Sequence, residues 1–114
     1  MIILYGINNC DTIKKTKKWL ENNHISYEFH DFKKKGVNPV QLRSWVTKLG
    51  WEILLNKRST TWRNLPEETK QNINEVLALV IMEEQPTIIK RPILETPTSC
   101  IVGFNEKNYE EILC

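Results

Sequence analysis

The sequence predicts an α/β fold, and three observations carry that prediction. An apolar run at residues 2–5 gives way to helical spacing, the middle of the chain is helical in pattern, and short strand segments return after Gln85-Pro86 before a last helix. The order is therefore βαβ, a helical block, then ββα. With 114 residues and no internal repeat, linker or low-complexity segment, one domain spanning 1–114 is expected. A chain of this length buries a core without needing disulfides or a metal.

Each element has its own signal. Residues 2–5 stop at Gly6-Ile7-Asn8-Asn9, as a buried strand running into a loop does. Ile13, Thr16 and Leu20 recur at helical spacing while Lys14, Lys15, Lys17 and Lys18 fill the other faces, which predicts a helix over about 10–22. Residues 26–32 alternate and read as a second strand. Asn38-Pro39 opens a helix, with Asn as cap and Pro at the first turn, and Leu42, Trp45, Val46 and Leu49 form its stripe before Gly50. A further helical stretch starts near Pro66, carries Ile73, Val76, Leu77, Val80 and Ile81 on one face flanked by Leu79 and Met82, and is expected to be mostly buried. Strands are expected at 87–89, 93–95 and 100–102, separated by Arg91-Pro92 and the turn 96–99. The last helix begins at Asn105, with Phe104 and Tyr109 as a hydrophobic staple and Tyr109, Ile112 and Leu113 facing inward.

Composition removes several function classes. A formal charge of +2 is too small to argue for nucleic acid. No apolar run approaches the ~20 residues of a membrane span, and the N-terminal run lacks the basic flank of a signal peptide. Cys10, Cys100 and Cys114 are odd in number and far apart, so they form neither a disulfide framework nor a zinc pattern. A reducing cytoplasm suits them. His24 and His30 have no partners at ligand spacing, so no metal is expected. The lysine-rich helix face and Lys33-Lys34-Lys35 read as solvated surface, with a weak attraction for anions as the lesser reading.

Cys10 falls where the first strand has ended and the first helix begins. A helix start offers unpaired N–H groups and partial positive charge, and both favour a thiolate. Lys14 adds positive charge one turn on, and Asp11 opposes it. A cysteine in such a turn is equally compatible with being a tolerated small residue. Arg91-Pro92 lies between two strand segments, where an X-Pro bond is either cis or an ordinary trans bond at a strand edge.

Four segments add a resemblance: Leu4-Tyr5-Gly6-Ile7 through Cys10-Asp11-Thr12-Ile13-Lys14-Lys15, then Asn56-Lys57-Arg58-Ser59-Thr60, then Ile89-Lys90-Arg91-Pro92-Ile93-Leu94, and Val102-Gly103-Phe104-Asn105-Glu106. In this order they resemble the ArsC/Spx family of glutaredoxin-like arsenate reductases and Spx regulators, and the opening is most similar to its YffB-type branch. The resemblance implies a thioredoxin/glutaredoxin-like mixed sheet with a helical insertion at about 38–84. It implies that Cys10 is the nucleophile, that Pro92 is cis and faces it, and that Arg91 precedes that proline. Arg58 matches a further family arginine, or is a solvated loop residue. The expected substrate- or glutathione-binding set is Arg91, Pro92, Arg58, Lys14, Asn9 and Thr12.

Departures from the pattern shape the expected function. The arsenate reductases carry a histidine four residues before the cysteine and an arginine four after, where this chain has Gly6 and Lys14. Their third site arginine falls at Val102-Gly103-Phe104. Redox-switch Spx proteins carry Cys-x-x-Cys, where this chain has Ile13, so an internal disulfide switch at this site is excluded. The expected function is a monothiol reductase with no bound cofactor, acting on an oxidised small molecule or protein thiol, with glutathione as co-substrate and a monomer as its state. The alternative is an Spx-like regulator that docks on RNA polymerase.

Overall fold

A computed structural model describes residues 1–8 and 10–114. In chain order the elements are β1 (Ile3–Gly6), α1 (Asp11–Asn22), β2 (Glu28–Asp31), α2 (Phe32–Lys35), α3 (Pro39–Leu49), α4 (Trp51–Leu54) and α5 (Thr60–Arg63). There follow α6 (Glu67–Gln71), α7 (Glu75–Glu84), a 3-10 turn (Pro86–Ile88), β3 (Ile93–Glu95), β4 (Cys100–Val102) and α8 (Glu106–Leu113). The chain divides into two compact units: Met1–Asp31 with Arg91–Cys114, and Phe32–Lys90.

The first unit holds one sheet, in the order β2-β1-β3-β4. β1 and β2 are parallel, joined through α1, while β3 runs antiparallel to β1 and β4 antiparallel to β3. This is the thioredoxin-like arrangement, a βαβ unit joined to a β-hairpin and a final helix. Leu4, Leu94 and Ile101 come from neighbouring strands in register. They share one face of the sheet, where Leu20 of α1 and Tyr109 of α8 close over them. Thr16 sits in the buried stripe of α1 at no polar cost, because its hydroxyl donates to the Thr12 carbonyl at 2.7 Å. Asn105 caps α8 by accepting from the Asn108 N–H at 3.0 Å, and Phe104 meets Tyr109 edge-on at 5.0 Å, so the staple forms. Ile112 is 41% exposed and does not join the inward face. An eight-residue helix turns only Tyr109, and Leu113 four residues later, onto the sheet.

The second unit is helical. Asn38 caps α3 through the Val40 and Gln41 N–H groups, and Gly50 ends it at φ 90°. Trp45 is fully buried, with its ring 5.9 Å from that of Phe32. Two expectations are corrected here. The stretch after Pro66 is two helices, divided where Asn74 caps α7 by accepting from the Leu77 N–H. The buried residues of α7 are Ala78, Ile81 and Met82, while Val76 is 71% exposed and Val80 46% exposed. Apolar residues lie all around this helix, so spacing alone could not tell which side faces inward. Residues 87–89 are also no strand. Pro86 starts the 3-10 turn, and only Ile89 makes an isolated bridge, to Leu55. Ile88 and Ile89 are both fully buried, so the alternation of a half-exposed strand is absent.

Candidate active site around Cys10

β1 delivers the chain to the start of α1, and Cys10 is the cap residue, with extended backbone angles (φ −94°, ψ 129°). Its carbonyl accepts the Lys14 N–H at 3.0 Å and closes the first helical turn. The half-buried Cys10 side chain makes no capping hydrogen bond. As a thiolate it draws on the Ile13 and Thr12 N–H groups and on the Arg91 side chain. Burial pushes the Cys10 thiol up, but the Ile13 and Thr12 N–H groups, then the hydrogen bond and charge of Arg91, outweigh it, and the pKa lies below the ordinary thiol value.

Sheet register explains how Arg91 arrives there. Tyr5 pairs with Ile93 in the antiparallel β1–β3 ladder, so Arg91 and Pro92 emerge at the end of the sheet where β1 departs toward Cys10. The Arg91-Pro92 bond is cis. The Pro92 carbonyl accepts the Gly103 N–H at 2.8 Å, which ties the loop to the residue just after β4. Positive charge on the sulfur therefore comes from Arg91 across the sheet, whereas the sequence assigned it to Lys14, whose side chain is exposed.

Of the expected site residues, Cys10, Thr12, Lys14, Arg91 and Pro92 all belong to the sheet unit. Thr12 contributes its backbone N–H. Arg58 belongs to the helical unit, exposed in the turn before α5, where its own N–H donates to Asn56 Oδ1 at 3.0 Å. Asn9 lies outside the described residues. Cys100 is half-buried on β4 opposite Glu95, and Cys114 is exposed at the end of α8. Tyr5, chiefly through burial and then through Glu95, has its pKa pushed up to about 12. Among the described residues no group of His, Cys, Asp and Glu could hold a metal ion, and no helix is long and apolar enough to cross a membrane.

Sequence reasoning missed one feature. A Cβ on Gly6 would collide with the Ile13 Cδ1 and lie 2.9 Å from its Cγ1. Ile13 is itself only 1% exposed. The two positions that depart from the arsenate reductase histidine and from Cys-x-x-Cys are thus one packing unit. A strand residue and a helix residue interlock, so a side chain added at position 6 must displace Ile13. The one available signal was that both departures are changes of side-chain size on either side of the same cysteine.

The ArsC family model matches residues 5–112. An uncharacterized protein of Haemophilus influenzae is 46% identical over 110 residues, covering 96% of each chain. The global transcriptional regulator Spx 2 of Bacillus anthracis is 28% identical over 116 residues, covering 99% of this chain and 87% of its own. Among solved structures, a YffB protein superposes with a TM-score of 0.96 at 40% identity over the whole of both chains. An arsenate reductase (ArsC) related protein of Brucella melitensis gives 0.79 at 43% identity, covering 96% of this chain and 92% of its own. With the family model spanning nearly its full length, and the cap-position cysteine and Arg91-cis-Pro92 loop at one end of the sheet, the chain belongs to the ArsC family.

Proposed function

We propose that the protein is a monothiol reductase of the cytoplasm in which Cys10 is the nucleophile and glutathione the reductant. What supports this most is the setting of the Cys10 sulfur: helix-start N–H groups and the Arg91 guanidinium both favour its thiolate. In the first step the thiolate attacks one sulfur of an oxidised substrate, the S–S bond breaks, and the departing half leaves as a thiolate. Cys10 is then held in a mixed disulfide. A glutathione thiolate attacks the substrate-derived sulfur, which frees Cys10 as thiolate and leaves a glutathione–substrate disulfide. A second glutathione completes the two-electron reduction in solution, giving the reduced substrate and glutathione disulfide. Arg91 would hold a carboxylate by forked hydrogen bonds. Arsenate is expected to be a poor substrate, because Gly6 and Val102-Gly103 stand where dense positive charge would be needed.

Peptide mapping tests this. Limiting iodoacetamide at neutral pH should label Cys10 ahead of Cys100 and Cys114, and glutathione disulfide should form an adduct at Cys10 that added glutathione removes. Cys10→Ser should abolish the adduct with the fold intact. Preferential labelling of Cys100 or Cys114 with Cys10 untouched refutes the proposal. The second reading, a regulator that docks on RNA polymerase, is favoured by the match to Spx 2 over 99% of this chain. Against a redox-switched form of it stands Ile13, which is built into the core where a second cysteine would be required. Capture of RNA polymerase by the immobilised protein would support that reading.

A further inference from the structure

On α1, residues 15, 18, 19 and 22 form an i, i+3, i+4, i+7 stripe apart from the buried Ile13, Thr16 and Leu20. This stripe and residues 104–107 line an open groove of about 820 Å3 within the sheet unit. Its wall is aromatic. Trp19 and Phe104 are half-buried, 6.4 Å apart edge to face, and both rest on the fully buried Tyr109 at 5.6 and 5.0 Å. Their orientation is fixed by the core beneath them, so a ligand need not order them.

Charge on the rim has one dominant sign. Lys15 and Lys18 stand on the α1 side and Lys107 on the α8 side, with Glu106 the opposing carboxylate. None of these three lysines makes a side-chain hydrogen bond or ion pair among the described residues, in contrast to Lys17, which lies 3.7 Å over the Phe29 ring and donates to Asn8 Oδ1. The start of α8 adds partial positive charge at the same end.

We infer that this groove docks an acidic peptide segment of a partner protein, with one large apolar side chain seated against Trp19 and Phe104 and flanking carboxylates paired with Lys15, Lys18 and Lys107. Complementary charge selects the occupant. A rim with cations on both sides of an apolar wall matches an extended chain with acids on either side of an apolar anchor. The open shape favours a peptide over a small molecule, whose sites bury roughly 70–90% of the ligand. This inference is independent of the chemistry assigned to Cys10.

The test is titration of the 15N-labelled full chain with the peptide Ac-Glu-Asp-Phe-Glu-Asp-NH2, followed by amide shifts. Shifts should cluster at residues 15–22 and 104–107 and weaken with added salt. Alanine in place of the phenylalanine, or Gln and Asn in place of the acids, should each lower affinity. Lys15→Glu/Lys18→Glu, both on the exposed side of α1, should lower it by roughly tenfold or more, with an unchanged far-UV spectrum. The absence of shifts, shifts centred elsewhere, equal binding by the charge-reversed variant, or the same shifts from inorganic phosphate at equal affinity would each overturn the inference.

Discussion

Replacing Gly6 by alanine drives a methyl group into the Ile13 side chain. The new Cβ would overlap Cδ1 and approach Cγ1 to 2.9 Å, and Ile13 is itself only 1% exposed. Overpacking of this kind costs about 1–3 kcal/mol. For a chain of this size that lowers the melting temperature by about 4–12 °C. Ile13→Val removes the colliding Cδ1 and alone costs about 0.5–1.5 kcal/mol. If the interlock is real, Gly6→Ala/Ile13→Val should be more stable than Gly6→Ala alone, with a coupling of about 0.5–3 kcal/mol in a double-mutant cycle. Thermal and urea denaturation of the four proteins measures this. Gly6→Ala within about 0.5 kcal/mol of wild type, or single effects that simply add, would refute the packing argument.

Three other outcomes follow from the site and the core. Arg91→Ala should raise the Cys10 pKa and slow its alkylation at neutral pH, because a hydrogen bond and a charge are lost, and Arg91→Lys should fall between the two; a pH–rate profile of alkylation reads both. Cys10 is lower in pKa folded than unfolded, so its thiolate adds stability that is complete above the unfolded thiol value of about 8.5 and is lost as pH falls through the folded value. Urea midpoints of wild type relative to Cys10→Ser should therefore rise over that window, and a flat difference would show that the folded site does not favour the thiolate. Tyr109→Phe should be neutral or stabilising, since the buried hydroxyl has no hydrogen-bond partner among the described residues, and a loss above about 1 kcal/mol in thermal unfolding would show that it has one.

What the sequence made legible was local. Asn38 and Asn105 announce their helices because a cap bonds N–H groups two or three residues away, and Cys10 is placed at a helix start because the apolar strand run ends before it and helical spacing begins after it. The short helices α4 and α5 have four residues each, too few for a period to show. α7 hid its orientation behind an all-apolar sequence, and residues 87–89 are β-branched residues packed inward in a turn. The two features that matter most at the site, Arg91 on the sulfur and Ile13 against Gly6, are contacts between elements. Arg91 came through the family resemblance, and the interlock came only from coordinates.

The absence of a second cysteine three residues on changes what the Cys10 environment must accomplish. In the proposed cycle the same sulfur attacks the substrate and is later expelled by glutathione, so it serves as nucleophile and as leaving group. Lowering a thiol's pKa speeds its departure and increases its thiolate fraction, but it also blunts each thiolate's attack, with a Brønsted slope of about 0.4–0.5. Extreme stabilisation would favour release at the expense of attack. Around Cys10 the effects are opposed: burial disfavours the thiolate, and the Ile13 and Thr12 N–H groups with Arg91 favour it. The chain has given position 13 to the core, where Ile13 packs against Gly6, and in the proposed cycle an outside thiol does what a neighbouring cysteine would have done. A sulfur stabilised by a short set of N–H groups and one arginine is suited to that exchange, because the mixed disulfide forfeits those interactions and regains them when glutathione sets Cys10 free.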